Sequence, residues 1–392
     1  MSQQRPLSSL LTDEELALQE SVRRFMKNEV EPQASAMEGA GEPPRDLFLK
    51  MGQLGLLGTF FPEEYGGSGA SIATRAIISE ETARVNAGLD IALFADIILF
   101  ARAINNYGTH EQKLRYLVPV LRGEKIGAMA ITEPEGGSNA LGARTTARAQ
   151  AGRYLLNGAK TFITNAPIAD YVLVLARTSG SEREADGGTW FIVERGTPGL
   201  TTGKPFPKLG MKSSPTGDVF LSDAAVPNDQ VLGEVGRGFH YLFGALDVER
   251  VLEGASTIGI AQAVLDIAAP YAQERVVFGK RIAQYQLIQE KIAAMESGIE
   301  LSRTMLYRLL RAVDRGEKVT REAAILKLYS SQMAVQAAAD GVQILGGHGY
   351  MEENKVARFF RDAKHHEIGA GTSEIMKLII ARETLKRYAG NH

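Results

Sequence analysis

Glu249 lies on the apolar side of a helix, and it is the side chain best placed for proton chemistry. In GALDVERVLEGA (244–255) apolar residues recur at helical spacing, and Leu242, Ala245, Leu246 and Glu249 share one face. A carboxylate there is costly unless it is paired or its pKa rises. A raised pKa is what a general base near neutral pH needs. Arg250 is adjacent but faces about 100° away and is not the obvious partner. From these residues alone, a structural ion pair and a general base both stay open. HHE (365–367) has metal-binding residue types. Adjacent residues on a helix diverge, however, and no third ligand stands at a typical spacing, so no metal is expected. His110, His240 and His348 are isolated and read as structural or surface residues.

Two other stretches could hold a ligand. AITEPEGGSNA (130–140) offers the hydroxyls of Thr132 and Ser138 beside Gly136 and Gly137, where backbone can approach a ligand closely. It reads equally as a polar interdomain loop. KTFITN (160–165) reads as a strand with Phe162 and Thr164 on one face. That face suits a flat ring, or it is simply half-buried. ERVVFGKRI (274–282) and VQILGGHGY (342–350) read as a helix end and a helix-breaking turn.

The elements that must position these residues fall into three textures. Residues 1–125 show helical periodicity, opened by Thr12 and Glu15 as a capping box. Residues 126–238 are short β-branched and aromatic runs separated by turns, expected to form an antiparallel barrel or sandwich. Residues 239–392 return to helical periodicity, broken by Gly346, Gly347 and Gly349. The order of helices, strands and helices argues against a Rossmann fold, and neither a Walker A sequence nor a dinucleotide fingerprint is present. The chain has 392 residues, 44% hydrophobic, with a net charge of −2 and no cysteine. This gives no electrostatic footprint for nucleic acid and excludes disulfides and thiolate chemistry. No apolar run in the sequence has the length of a membrane span and the start has no secretory signal, so a soluble, cytoplasmic enzyme is expected.

Taken together, TEP-x-x-GS, K-x-F-I-T-N, ER-x-x-FG, Q-I-L-G-G-x-G-Y and GTSEI, in this order, resemble the acyl-CoA dehydrogenase family over essentially the whole chain. The resemblance implies an α+β multidomain fold with an N-terminal helical domain, a central antiparallel β domain and a C-terminal four-helix bundle. It also implies FAD as cofactor, an acyl-CoA substrate, electron-transfer flavoprotein as acceptor and a homotetramer built as a dimer of dimers. Met129, Ile131, Thr132 and Ser138 would line the flavin and the pantetheine arm. Phe162, in place of a frequent tryptophan, and Thr164 would cover the isoalloxazine. Arg275, Phe278, Gln286, Gln343 and Gly347 would reach the FAD of a neighbouring subunit, and Thr372 and Glu374 the ADP part. Asn139 stands where an aspartate is common.

Most members of that family carry their catalytic glutamate at the position of Ala370. In isovaleryl- and long-chain-type members it comes from the position of Glu249, and LDVER (246–250) with EIGAGTSE (367–374) are similar to the isovaleryl type. The implied reaction is α,β-dehydrogenation of an acyl-CoA thioester. Glu249 would take the α-proton, the backbone N–H of Ala370 and the flavin ribityl hydroxyl would stabilise the carbonyl oxygen, and Asp247 and Arg250 would position pantetheine and base. Gly369 and Ala370, both small, would leave room for a branched or otherwise wide acyl group, and Gly371 would also meet the substrate. Segment 91–104 would line the acyl tail; Asp96 within it is expected to face the outer or subunit side, a polar or unusual acyl group being the other reading. The alternatives are a relative acting on aromatic or carnitine-type thioesters, including an enoyl-CoA reductase, and a non-catalytic flavin-binding partner.

Overall fold

The computed structural model describes residues 10–180 and 184–389. The capping box opens helix Asp13–Phe25: Thr12 Oγ1 accepts the Glu15 N–H at 3.2 Å, and the Glu15 carboxylate accepts the Thr12 N–H at 2.9 Å. Helices follow through Leu121, including Ala73–Ala83, Ala87–Leu93 and Arg102–Tyr107. Between the last two, Phe94–Ala101 is wound as a wider π-helix, a form that recurs at functional sites.

The middle of the chain is one eight-stranded sheet. Its path runs Leu200–Thr202, Thr216–Pro227, Arg153–Thr164, Thr146–Gln150, Tyr171–Arg177, Gly188–Glu194 and Val231–Leu232. It is not wholly antiparallel, because Gly127–Ala130 lies parallel to Tyr171–Arg177. The two-residue period decides how this sheet is buried. Val172, Val174, Phe191 and Val193 point into the core of the β region. Leu173, Leu175, Trp190 and Ile192 point the other way, into a core shared with the helices. These two strands therefore read as continuous apolar runs, as doubly covered strands do.

Helix Gly238–Glu274 is the axis of the C-terminal region, packed by Gln286–Asp314 and Thr320–Leu345 and by Ala73–Ala83 from the N-terminal region. The last contact is backbone-close: a Cβ on Gly259 would lie 2.3 Å from the Glu80 carbonyl oxygen. This helix is long and apolar enough to cross a membrane, contrary to the impression from the raw sequence, but 83% of its apolar window is buried inside the protein. It is a core helix. The sheet fixes its start, where Trp190 Nε1 donates to the Gly238 carbonyl at 2.9 Å. Ser373–Ala389 packs on Thr320–Leu345, and Lys355–Ala363, a helix the periodicity does not single out, fills in beside it.

Candidate active site

Glu249 is 5% exposed and lines a small cleft with Leu242 and Ala245 of its own helix, Met129 of the sheet, and Arg102 and Tyr107 of the N-terminal region. The face deduced from spacing is therefore real, although Leu246 stays outside the cleft. Burial pushes the Glu249 carboxyl up to about 7, against the opposing fields of Arg102 and Arg250. It has no hydrogen bond or ion pair among the described residues. Arg250 turns instead towards Asp247, at 3.6 Å, and Asp247 accepts from the Thr320 hydroxyl.

The loop carrying Gly369, Ala370 and Gly371 lies over the same stretch of helix. A Cβ on Gly371 would sit 3.9 Å from Arg250 Nη2, and one on Gly369 would sit 3.6 Å from Glu253 Oε1. Ala370 has φ 50° and Gly371 φ 101°, so this turn is left-handed and suits small residues. The Ala370 N–H makes no hydrogen bond among the described residues. Gly369 departs from expectation. A Cβ there would lie 3.0 Å from His365 Nε2, so histidine, not open cleft, occupies that space.

Beneath the loop is a cluster that sequence reasoning missed. Lys327 Nζ donates to the Gly371 carbonyl at 2.6 Å. Glu253, one turn beyond Glu249, meets His366 Nδ1 at 3.3 Å, and His366 Nε2 meets Ser256 at 3.2 Å. All are buried. Burial pushes the Glu253 carboxyl up, but Lys327 and His366 outweigh it and hold it below its ordinary value. Burial, then the neighbouring His366, keep His365 neutral, at about 3. The only sequence signal for Glu253 was its i+4 spacing from Glu249. Among the described residues there is no metal-binding group.

The two ligand-holding stretches come together. The Thr161 N–H donates to the Thr132 carbonyl at 2.9 Å. Buried Lys160 pairs with buried Glu133 at 2.7 Å and donates to the Ile131 carbonyl at 3.1 Å, so the Ile131–Thr132 segment is held to the strand. A register shift between Lys160 and Ile163 bulges that strand and puts Phe162 at φ 58°. Phe162 is 68% exposed. The hydroxyls of Thr132 and Thr164 have no partner among the described residues. An exposed ring held by a bulge, with unpartnered hydroxyls beside it, fits a flat, polar-edged group such as a flavin. Ser138 and Glu374 are exposed and Asn139 lies in the same exposed loop, while Thr372 Oγ1 accepts the Ile375 N–H at the start of the last helix.

Arg275, Phe278, Gln286, Gln343 and Gly347 are all exposed and none lies in the cleft; Phe278 is 94% exposed. Asp96 does not face outward. It is fully buried and its Oδ1 accepts the Gly127 N–H at 2.7 Å, joining the π-helix to the sheet, and burial pushes its carboxyl well above the usual range.

Three family models match in chain order. They are the acyl-CoA dehydrogenase N-terminal domain at residues 12–124, the middle domain at 128–224 and the C-terminal domain at 236–385. The isovaleryl-CoA dehydrogenase of Solanum tuberosum is 38% identical, covering 97% of this chain and 92% of its own. The 3-(aryl)acrylate reductase of Clostridium sporogenes is 39% identical, covering 96% and 99%. The structure of butyryl-CoA dehydrogenase from Megasphaera elsdenii superposes with a TM-score of 0.92 at 37% identity, covering 96% and 99%. Matched over all three of its domains, this chain belongs to the acyl-CoA dehydrogenase family, whose members bind FAD and act on CH–CH bonds of acyl-CoA.

Proposed function

We propose that the chain catalyses α,β-dehydrogenation of a short branched, isovaleryl-like acyl-CoA to the 2-enoyl-CoA, with Glu249 as base. One observation carries the reading: a buried carboxyl at about 7, with no ion pair among the described residues, in a cleft it shares with Met129. Such a group takes a proton near neutrality without a large driving-force penalty. The α-proton beside a thioester is weakly acidic, so the carbonyl oxygen needs a donor where charge develops. The Ala370 N–H, which has no hydrogen bond among the described residues, lies on the loop packed beside Arg250 and Glu253 and is that donor. Arg250 and Asp247 steady the loop and the pantetheine arm. Gly371 keeps the turn close to Arg250.

Met129, Ile131, Thr132, Ser138, Phe162 and Thr164 receive the cofactor and the thioester, and Thr372 and Glu374 the ADP part. Bound FAD supplies the acceptor for the β-hydride. The exposed Arg275, Phe278, Gln286, Gln343 and Gly347 suit contact with the cofactor of a second subunit, which puts a homotetramer in the proposal. Reoxidation by electron-transfer flavoprotein and a cytoplasmic location complete it.

A second reading is reduction of a conjugated acyl group. A carboxyl poised near 7 gives a proton as readily as it takes one, and one relative is named a reductase. Anaerobic titration with acyl-CoA separates the two. Isovaleryl-CoA should bleach a yellow protein and yield the enoyl product. A yellow protein that no saturated acyl-CoA bleaches would defeat the dehydrogenase reading.

A further inference from the structure

The cleft beside Glu249 has one charged residue that the chemistry above does not use. Arg102 stands in its wall near Tyr107 and Tyr241, directly after the apolar π-helix Phe94–Ala101. Its guanidinium is half-buried and has no hydrogen bond or ion pair among the described residues. Glu249 reaches it only through its field, and burial works against its charge.

Four other arginines of the interior differ. Arg75 pairs with Asp90 at 3.2 Å, and Arg303 with Glu80 at 2.7 Å. Arg177 donates to the Ala143 carbonyl at 3.0 Å, and Arg358 to the Val85 carbonyl at 2.6 Å. A guanidinium carries five donors and loses water on burial. Each of those arginines recovers acceptors from the fold. Arg102 recovers none among the described residues, and it lines the cleft.

We propose that Arg102 anchors an oxygen anion at the far end of the acyl group, so that the preferred substrate is a short acyl-CoA ending in a carboxylate. This rests on the dehydrogenase reading and narrows its substrate. Glu249, Met129 and Arg102 line one small cleft, so an acyl group whose reacting carbons sit at Glu249 has room for only a short chain before it meets Arg102. A carboxylate matches the planar fork of guanidinium in a bidentate pair. A branch at the β-carbon, as in isovaleryl-CoA, and a distal carboxylate are compatible in one acyl group. An aliphatic tail would leave the guanidinium without an acceptor.

The test uses pairs of acyl-CoAs that differ by one carboxylate: butyryl-CoA with glutaryl-CoA, and isovaleryl-CoA with 3-methylglutaryl-CoA. Anaerobic flavin bleaching gives kcat/KM for each on the FAD-loaded full chain. The wild type should favour the carboxylated member by roughly tenfold or more, and Arg102→Met should shift that ratio roughly a hundredfold towards the aliphatic twin. Arg102→Lys keeps the charge without the fork and should fall between them, which covers the case in which Arg102→Met fails to fold. A wild type that prefers the aliphatic twins would overturn the proposal. So would a substitution that slows both twins equally, because Arg102 would then serve only as the counter-charge of Glu249. If no acyl-CoA of either kind bleaches the flavin, the dehydrogenase reading itself falls, and the proposal with it.

Discussion

Glu249 and Glu253 are the same residue type, one turn apart on one helix, and both are buried. Their surroundings set them apart. At Glu249 burial wins over the fields of Arg102 and Arg250, and the carboxyl rises to about 7 with no partner among the described residues. At Glu253 burial loses to Lys327 and His366, and the carboxyl stays below its ordinary value. One site is left unpaired and ready to exchange a proton. The other is ionised, paired and spent on holding a loop. Burial alone therefore does not mark a catalytic acid. Burial without compensation does.

The contrast can be broken at either end. Glu249→Gln should slow acyl-CoA-dependent flavin bleaching by roughly a thousandfold while FAD stays bound, read by stopped-flow absorbance. Glu253→Gln leaves Lys327 buried without its charge partner and should cost about 3 kcal/mol of stability, read as a lower denaturation midpoint, while the FAD-loaded protein still bleaches. Because the Glu253 carboxyl is held low, that stability is present above its unfolded pKa and is lost as pH falls through the folded value. In the wild type, kcat/KM should fall about tenfold per pH unit below about 7, as Glu249 takes up its proton. The smallest effect is expected at Asp96. Its carboxyl is raised by burial and accepts from Gly127, an acceptor that an amide keeps, so Asp96→Asn should cost about 1 kcal/mol or less.

Patterns that repeat along the chain were legible in the sequence. The capping box at Thr12 and Glu15 needs only local spacing, and the cleft-facing side of Glu249 follows from helical periodicity. The three-part texture showed because strands and helices bury side chains with different periods. What was not legible depends on partners distant in sequence. Lys327, His366 and Glu253 meet across three elements. Asp96 read as outward-facing because its acceptor role depends on Gly127. The Phe162 bulge comes from a register shift against a strand more than fifty residues away. Arg102 stands out only once the other wall of its cleft is in place.

Proton removal from carbon can be read apart from hydride transfer. With the flavin reduced beforehand, acyl-CoA in D2O can lose its α-hydrogens but cannot be dehydrogenated, and NMR follows the exchange. Wild type and Glu253→Gln should both exchange the α-hydrogens, and Glu249→Gln should leave them in place. Exchange at the wild-type rate in Glu249→Gln would contradict Glu249 as the base.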